Sequence, residues 1–167
     1  AGRPITDLLG GVIDWVPMVY LLDFLSPSDA AAQAKEAVEN GYKCIKASLG
    51  SRDPAIDIEV IKQIRLAVGD VISIRADADE GWTTERALYT VEQLEPYGLE
   101  FLEQPVIAED LSGLARIKQA TNVPIAADEV IGNLADAQKV VSASAADVLV
   151  VKAAKAGGIR HAQAIMA

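Results

Sequence analysis

One cysteine, one histidine and few aromatic residues (5 %) mark this 167-residue chain by what it lacks. With Cys44 alone, no internal disulfide is possible, and a reducing, cytoplasmic compartment is the expectation. The sole histidine, His161, falls in the last predicted helix after a glycine pair, at a surface or helix-packing position. Positive charge is scarce: 15 Lys and Arg against 24 Asp and Glu leave a net charge of −9. That balance disfavours nucleic acid and anionic membrane surfaces as partners, and it suits a cation site. No apolar run approaches the roughly 20 residues of a membrane span, and no basic-then-apolar leader opens the chain. What is present, 51 % hydrophobic and 23 % charged residues, fits one globular α/β domain with a sizeable core.

Chemistry gathers first at Val71 to Trp82, VISIRADADEGW, where an apolar strand runs into a cluster of carboxylates. Ser73, Arg75, Asp77 and Asp79 share one face of that strand, and Ile72, Ile74 and Ala76 share the other. Carboxylates at the end of a buried strand repel one another unless a cation or a hydrogen-bond network holds them. Similar strand ends recur: LEFLEQP ends its apolar run at Glu103, 26 residues after Asp77, and VPIAADE ends at Asp128, 25 residues later. Another 24 residues on, ADVLVVKAAKAGG ends at Lys152. Backward from Asp77, KCIKAS places Ser48 at the same point, with Lys46 two residues earlier on the same face. A period of roughly 25 residues, strand then helix, is the signature of a chain of βα units.

Taken in order, Ala1 to Gly11 is a lead-in ending in a Gly10-Gly11 turn, and Val16 to Leu22 is a short strand with Pro17 near its start. Ser28 or Asp29 is the expected N-cap of a helix running to Asn40-Gly41. Strands come next at Tyr42 to Ser48, Val71 to Asp77, Leu99 to Glu103, Val123 to Asp128 and Asp147 to Lys152. Helices alternate with them: Asp53-Pro54 to Val68, Thr83 to about Glu95, about Asp110 to Ala120, Leu134 to Ser142, and a last one from Gly157-Gly158. Six strands in strict alternation with six helices mean a parallel sheet with right-handed crossovers. A nucleotide-binding open sheet would carry a glycine-rich loop after its first strand, and none is there. A parallel (β/α) barrel of the TIM type is therefore expected, here about six βα units, with every strand's C-terminal end at one mouth.

KAS at Lys46 to Ser48, the strand-end acid in RADAD, LEQP around Glu103, AADE around Asp128 and KAAKAGG from Lys152 together resemble the enolase superfamily, in its mandelate racemase/muconate lactonizing enzyme subgroup. The opening GRPITDLLGG resembles that family's join between an N-terminal capping domain and a modified barrel. By the family's plan, residues 1–167 are a partial barrel domain, without the capping domain before Ala1 and the last strands after Ala167.

The resemblance implies Mg²⁺ as cofactor, held by Asp77, Glu103 and Asp128, three hard oxygen donors with water and substrate oxygens completing an octahedron. It implies abstraction of the proton beside a substrate carboxylate and an enediolate stabilised by the metal and a neighbouring ammonium. Lys152 is the expected base, with proximity to Lys46 and exclusion of water lowering its pKa. Lys46 corresponds to the first lysine of the family's KxK pair. Glu129 corresponds to the acidic neighbour that pairs with a lysine across the mouth. Asp79 stands where many relatives carry Asn, as a substrate contact for a cationic nitrogen or a surface acid. Lys155 reads as a turn or helix-entry residue, and Cys44 as a packed small hydrophobe.

One departure changes the implied reaction: the pattern's second lysine is Ser48 here. A serine hydroxyl is too weak an acid and base to replace an ammonium without an activating partner. Two-base racemisation needs a proton acceptor on each face of the carbon. A one-sided reaction remains, in which Lys152 takes the proton and a β-hydroxyl leaves, with Ser48 or a metal-bound water as donor. The expected activity is thus that of a dehydratase (lyase) or epimerase acting on a hydroxy acid or amino-acid derivative. The alternative is a non-catalytic barrel remnant completed by oligomerisation. Unpaired edges at the first and sixth strands favour a homo-oligomer in either case.

Overall fold

The alternation of strands and helices is seen directly in a computed structural model of the chain, which describes residues 2–13, 15–50 and 53–167. The elements run α1 (Ile5–Leu8), β1 (Tyr20–Leu22), α2 (Pro27–Glu39), β2 (Cys44–Ser48), α3 (Pro54–Val68), β3 (Ser73–Asp77), α4 (Thr84–Leu94), β4 (Phe101–Glu103), α5 (Leu111–Ala120), β5 (Ile125–Ala127), α6 (Leu134–Ser142), β6 (Val148–Leu149) and α7 (Ile159–Met166). All six strands are parallel and lie in sequential order, β1 to β6, which is barrel order; a doubly wound sheet reverses direction at a switch point. Among the described residues, no helix is long and apolar enough to cross a membrane.

Period-two burial sorts β2 and β3 into two faces, whereas β4 and β5 are buried at every residue. Ile45, Ala47, Ile74, Ala76, Leu102, Ile125 and Ala127 are buried toward the helices, and these meet Ala30, Ala34 and Ala37 of α2, Val60, Ile61 and Ile64 of α3, Val91 and Leu94 of α4, and Leu114 and Ile117 of α5. Alanines at i, i+4 and i+7 give α2 a flat face that lies close to the sheet and to α3. The opposite face carries Cys44, Lys46 and Ser48 on β2, and Ser73, Arg75 and Asp77 on β3, all half-buried in the concave interior.

Local signals set the helix starts. Asp53 caps α3 through the amide of Ala55, Thr83 caps α4 through Arg86, and Asn133 caps α6 through Asp136. The first long helix differs from expectation: Ser26 is its N-cap, accepting from the Asp29 amide, with Pro27 at the first helical position, which suits proline's fixed φ and missing N–H. Strand β1 is also shorter than Val16 to Leu22, because Pro17 and the exposed Val16 and Met18 lie before the first ladder pair at Tyr20. Ala1, the expected start of the lead-in, lies outside the described residues; within the lead-in, residues 5–8 form the short helix α1.

At the N-terminal end of the sheet, Arg65 of α3 ties four carbonyls together. Its Nε donates to Tyr97 O (2.8 Å), Nη1 to Gly69 O and Ile72 O (both 2.7 Å), and Nη2 to Gly98 O (3.0 Å). One guanidinium thus closes the turns before β3 and β4. Arg65→Met strands these acceptors, and the expected loss is about 3 kcal/mol. Thermal unfolding followed by circular dichroism should show Tm lower by roughly 6–12 °C, and Arg65→Lys, lacking the fork, should recover less than half of it.

Candidate active site

Register puts the predicted site residues at the mouth in a rising row. Ser48 pairs with Asp77, Asp77 with Glu103, Glu103 with Ala126, and Ala126 with Val148. Asp128 is therefore two residues beyond the level of Glu103, and Lys152 four residues beyond that of Val148. The equal spacing in sequence does not give equal height, because strands tilted around a curved sheet are staggered in register. Strand β6 ends at Leu149, so Lys152 projects from the loop above it instead of ending the strand. The ladder carries on past each strand end, with Ala78 N–H donating to Glu103 O (3.0 Å), Gln104 N–H to Ala126 O (2.9 Å) and Val150 N–H to Ala127 O (2.8 Å).

Two lysines meet the three acids. Lys46 Nζ lies 2.7 Å from Asp77 Oδ2 and 2.8 Å from Glu103 Oε2, bridging neighbouring strands. Lys152 Nζ donates to Asp128 Oδ2 and stands 3.9 Å from Glu129 Oε1. Glu103 and Asp128 are almost wholly buried, their side chains 2 % and 1 % exposed. Burial pushes the Glu103 carboxyl up to about 7, against the pull of Lys46. At Asp128 burial is the largest single influence and opposes the charge, but the hydrogen bonds with Lys152 and Glu103 and the positive charges of Lys152 and Lys155 together hold the carboxyl below its ordinary value. Burial, then the Asp128 charge, raises Glu129. Lys46 is held above the ordinary lysine value: burial opposes its charge, and the hydrogen bonds to Asp77 and Glu103 prevail. Lys152 is raised by its hydrogen bond to Asp128, contrary to the lowering expected from a dry pocket, since its side chain is 52 % exposed and faces an anion.

Asp79 lies in the exposed loop after β3, its amide donating to Asp77 Oδ1 (3.0 Å). Lys155 is more than a turn residue: its Nζ donates to Asp128 O (2.8 Å) and lies 3.5 Å from Asp128 Oδ1. Cys44 is half-buried at the floor of the interior, beside Arg75 and Glu100, with its Sγ 3.8 Å from Glu100 Oε2; it is part of a polar floor more than an apolar one. Trp82 is buried and Trp15 exposed. Gln104, fully buried next to Glu103, carries no sequence signal of a role beyond its place in LEQP, yet its side chain reaches the Asp128 amide (2.9 Å). The loops after Ser48 and Asp77 touch through glycine: a Cβ on Gly81 would stand 2.3 Å from Gly50 O, which only glycine avoids.

Whether the acids suit a divalent ion rests on their donors. Among the described residues, no three acidic, cysteine or histidine side chains are grouped so as to hold a metal as they stand, and Lys46 lies between Asp77 and Glu103. The donor set is all oxygen, however, and Glu103 Oε1 and Asp128 Oδ1 are buried with no hydrogen-bond partner. Buried carboxylate oxygens in that state are what a hard cation satisfies. The residues present therefore fit Mg²⁺ by chemistry.

Known proteins place this architecture. Residues 29–167 match the model of the "Enolase C-terminal domain-like" family. The chain is 37 % identical over 168 residues to L-Ala-D/L-Glu epimerase of Bacillus subtilis (strain 168), covering 99 % of this chain and 46 % of the relative. It is 32 % identical over 161 residues to muconate cycloisomerase 1 of Acinetobacter baylyi, covering 95 % of this chain and 44 % of the relative. Its fold superposes with a TM-score of 0.92 and 36 % identity on the dipeptide epimerase from Cytophaga hutchinsonii, solved with Mg and the dipeptide D-Ala-L-Val, across 98 % of this chain and 44 % of that one. The chain spans about half the length of the curated relatives it matches. By sequence model, by relatives and by fold, this chain belongs to the enolase C-terminal domain-like family, in the mandelate racemase/muconate lactonizing enzyme subgroup of the enolase superfamily.

Proposed function

We propose that this chain carries the site of a Mg²⁺-dependent enzyme that removes the proton alpha to a substrate carboxylate. The observation that carries this is the pair of buried carboxylate oxygens on Glu103 and Asp128 that have no hydrogen-bond partner, set beside Asp77, Lys46 of β2 and Lys152 of the loop after β6. Asp77, Glu103 and Asp128 would hold the ion. When bound, Mg²⁺ supplies positive charge beside the substrate carboxylate, which acidifies the neighbouring C–H. Lys152 takes the proton as a neutral amine, so it acts only after leaving the Asp128 carboxylate. Lys46, released from the acids it bridges, offers its ammonium to the charge that develops on the substrate oxygen. Glu129 stands beside Lys152 and keeps its ammonium form, once protonated, within the site.

The fate of the carbanion depends on the other face of the carbon. Ser48 stands there in register with Asp77, where the family pattern has a lysine. A serine hydroxyl is too weak an acid to return a proton to that face on its own, so elimination from a hydroxy acid or hydroxy amino acid is the favoured outcome: the C–H and β-C–O bonds break, and the proton taken by Lys152 leaves with the β-hydroxyl as water. Epimerisation of an amino-acid derivative is the second reading, favoured by identity to relatives named as epimerases. Deuterium uptake at the α-carbon distinguishes the two. With Mg²⁺ and a panel of hydroxy acids, hydroxy amino acids and dipeptides in D₂O, the elimination reading expects loss of water without enantiomer exchange. Lys152→Gln should slow turnover at least ~100-fold. Turnover that survives Lys152→Gln would remove this lysine from the role of base.

The acids also set a pH dependence of stability. Folded Glu103 keeps its proton up to about pH 7, whereas its unfolded carboxyl loses it near the ordinary value of 4.5. Between those values the folded state binds more protons, so this group makes stability rise as pH falls. Glu129, also raised, acts in the same direction. Asp128, held low, opposes them only as pH falls below its ordinary 3.8. In chelator, Tm is expected to be higher at pH 5 than at pH 7.5, and Glu103→Gln should remove most of that difference. A wild-type Tm that falls steadily as pH is lowered from 7.5 to 5 would contradict the burial of an under-compensated Glu103.

A further inference from the structure

We infer that Gln104 and Lys155 are positioning residues that clamp the main chain of Asp128 from both sides and so fix where its carboxylate points; this rests on the reading of Asp128 as a metal ligand. Gln104 sits directly after Glu103, with its side chain fully buried. Its Oε1 accepts from the amide of Asp128 (2.9 Å) and, more distantly, from that of Val130 (3.5 Å), while its Nε2 donates to Val106 O (2.8 Å). Its own carbonyl accepts from the Glu80 amide (2.9 Å), in the loop after Asp77. One residue thus joins the three loops that lead on from Asp77, Glu103 and Asp128. From the other side, Lys155 donates to Asp128 O (2.8 Å).

The need for such a clamp arises from the stagger. Asp128 lies beyond the end of β5 at Ala127, so the sheet ladder does not hold its amide. An unheld peptide there would let a buried carboxylate rotate away from a cation, and a coordination site loses affinity with small displacements of a ligand. Gln104 replaces the missing strand neighbour with a side-chain amide. Lys155 does the same for the carbonyl, with a cation that simultaneously lies 3.5 Å from Asp128 Oδ1.

The two lysine effects have opposite signs, which makes the test sharp. On charge alone, Lys155→Met removes a cation beside the acids and should tighten Mg²⁺ binding. Loss of the clamp should weaken it. Titration calorimetry of the chain with MgCl₂ is expected to show binding at least tenfold weaker in Lys155→Met and in Gln104→Met. Ile117→Val, a core change far from the mouth, should leave the affinity within twofold even where its Tm falls as far. Lys155 lies at the surface, so its variant remains informative if Gln104→Met does not fold. In wild type, the Asp128 amide should be as protected from hydrogen exchange as that of Ile125. Unchanged or tighter Mg²⁺ binding in Lys155→Met, or a freely exchanging Asp128 amide, overturns the clamp and leaves the metal reading intact. A wild-type chain that binds no Mg²⁺ overturns both.

Discussion

Everything at the mouth of this sheet depends on one electrostatic constraint: Glu103 and Asp128 are carboxyl groups taken almost completely out of water, side by side with Asp77. Removing a carboxylate from water costs several kcal/mol unless positive charge compensates it. Lys46 and Lys152 supply that charge in the structure, one bridging two strands and one reaching back from the loop after β6. Even so, one oxygen on each buried acid is left without a hydrogen-bond partner, and Glu103 answers by holding a proton to about pH 7. The cluster is thus under-compensated by protein alone, which is the state a cation-binding site presents.

The rest of the fold serves to hold those groups where they are. Alanine-rich α2 and the Val60, Ile61 and Ile64 face of α3 pack the outer side of the sheet, so that the inner side is free to carry polar residues. Fixing the helix-facing residues also fixes the parity of the interior: with Ala47, Ala76 and Leu102 buried outward, Ser48, Asp77 and Glu103 have to point inward at one level. Arg65 closes the N-terminal turns, and Gly50 and Gly81 let the loops after β2 and β3 lie against each other at the opposite end.

Much of this is legible in the residues. Alternation in SIRAD and CIKAS marks the inward face, and capping residues such as Asp53 and Thr83 set helix starts that the structure shares. Strand-end carboxylates are recognisable because acids seldom end an apolar run without a partner. Less legible is whatever depends on three-dimensional register. The stagger that lifts Asp128 and Lys152 above Glu103 comes from strand tilt, which has no local sequence signal. Gln104 reads as an ordinary polar residue until its buried amide is seen to hold a peptide on the next strand. Lys155 looks like a loop lysine because its partner is a carbonyl 27 residues away in sequence. The raised pKa of Lys152 escapes sequence reading for a related reason: its direction depends on which anion the ammonium meets, and pattern alone places a lysine near a pocket without placing the acid against it.

Whether the three strand-end carboxylates act together as one cation site is open to a direct measurement. Mn²⁺, a paramagnetic stand-in for Mg²⁺, reports on it residue by residue through broadening of backbone amide signals. One shared site predicts that substoichiometric Mn²⁺ selectively broadens amides around Asp77, Glu103 and Asp128 together, and that excess Mg²⁺ restores them. Broadening spread over the exposed acids of the helices, with those three strand ends unaffected, would contradict it.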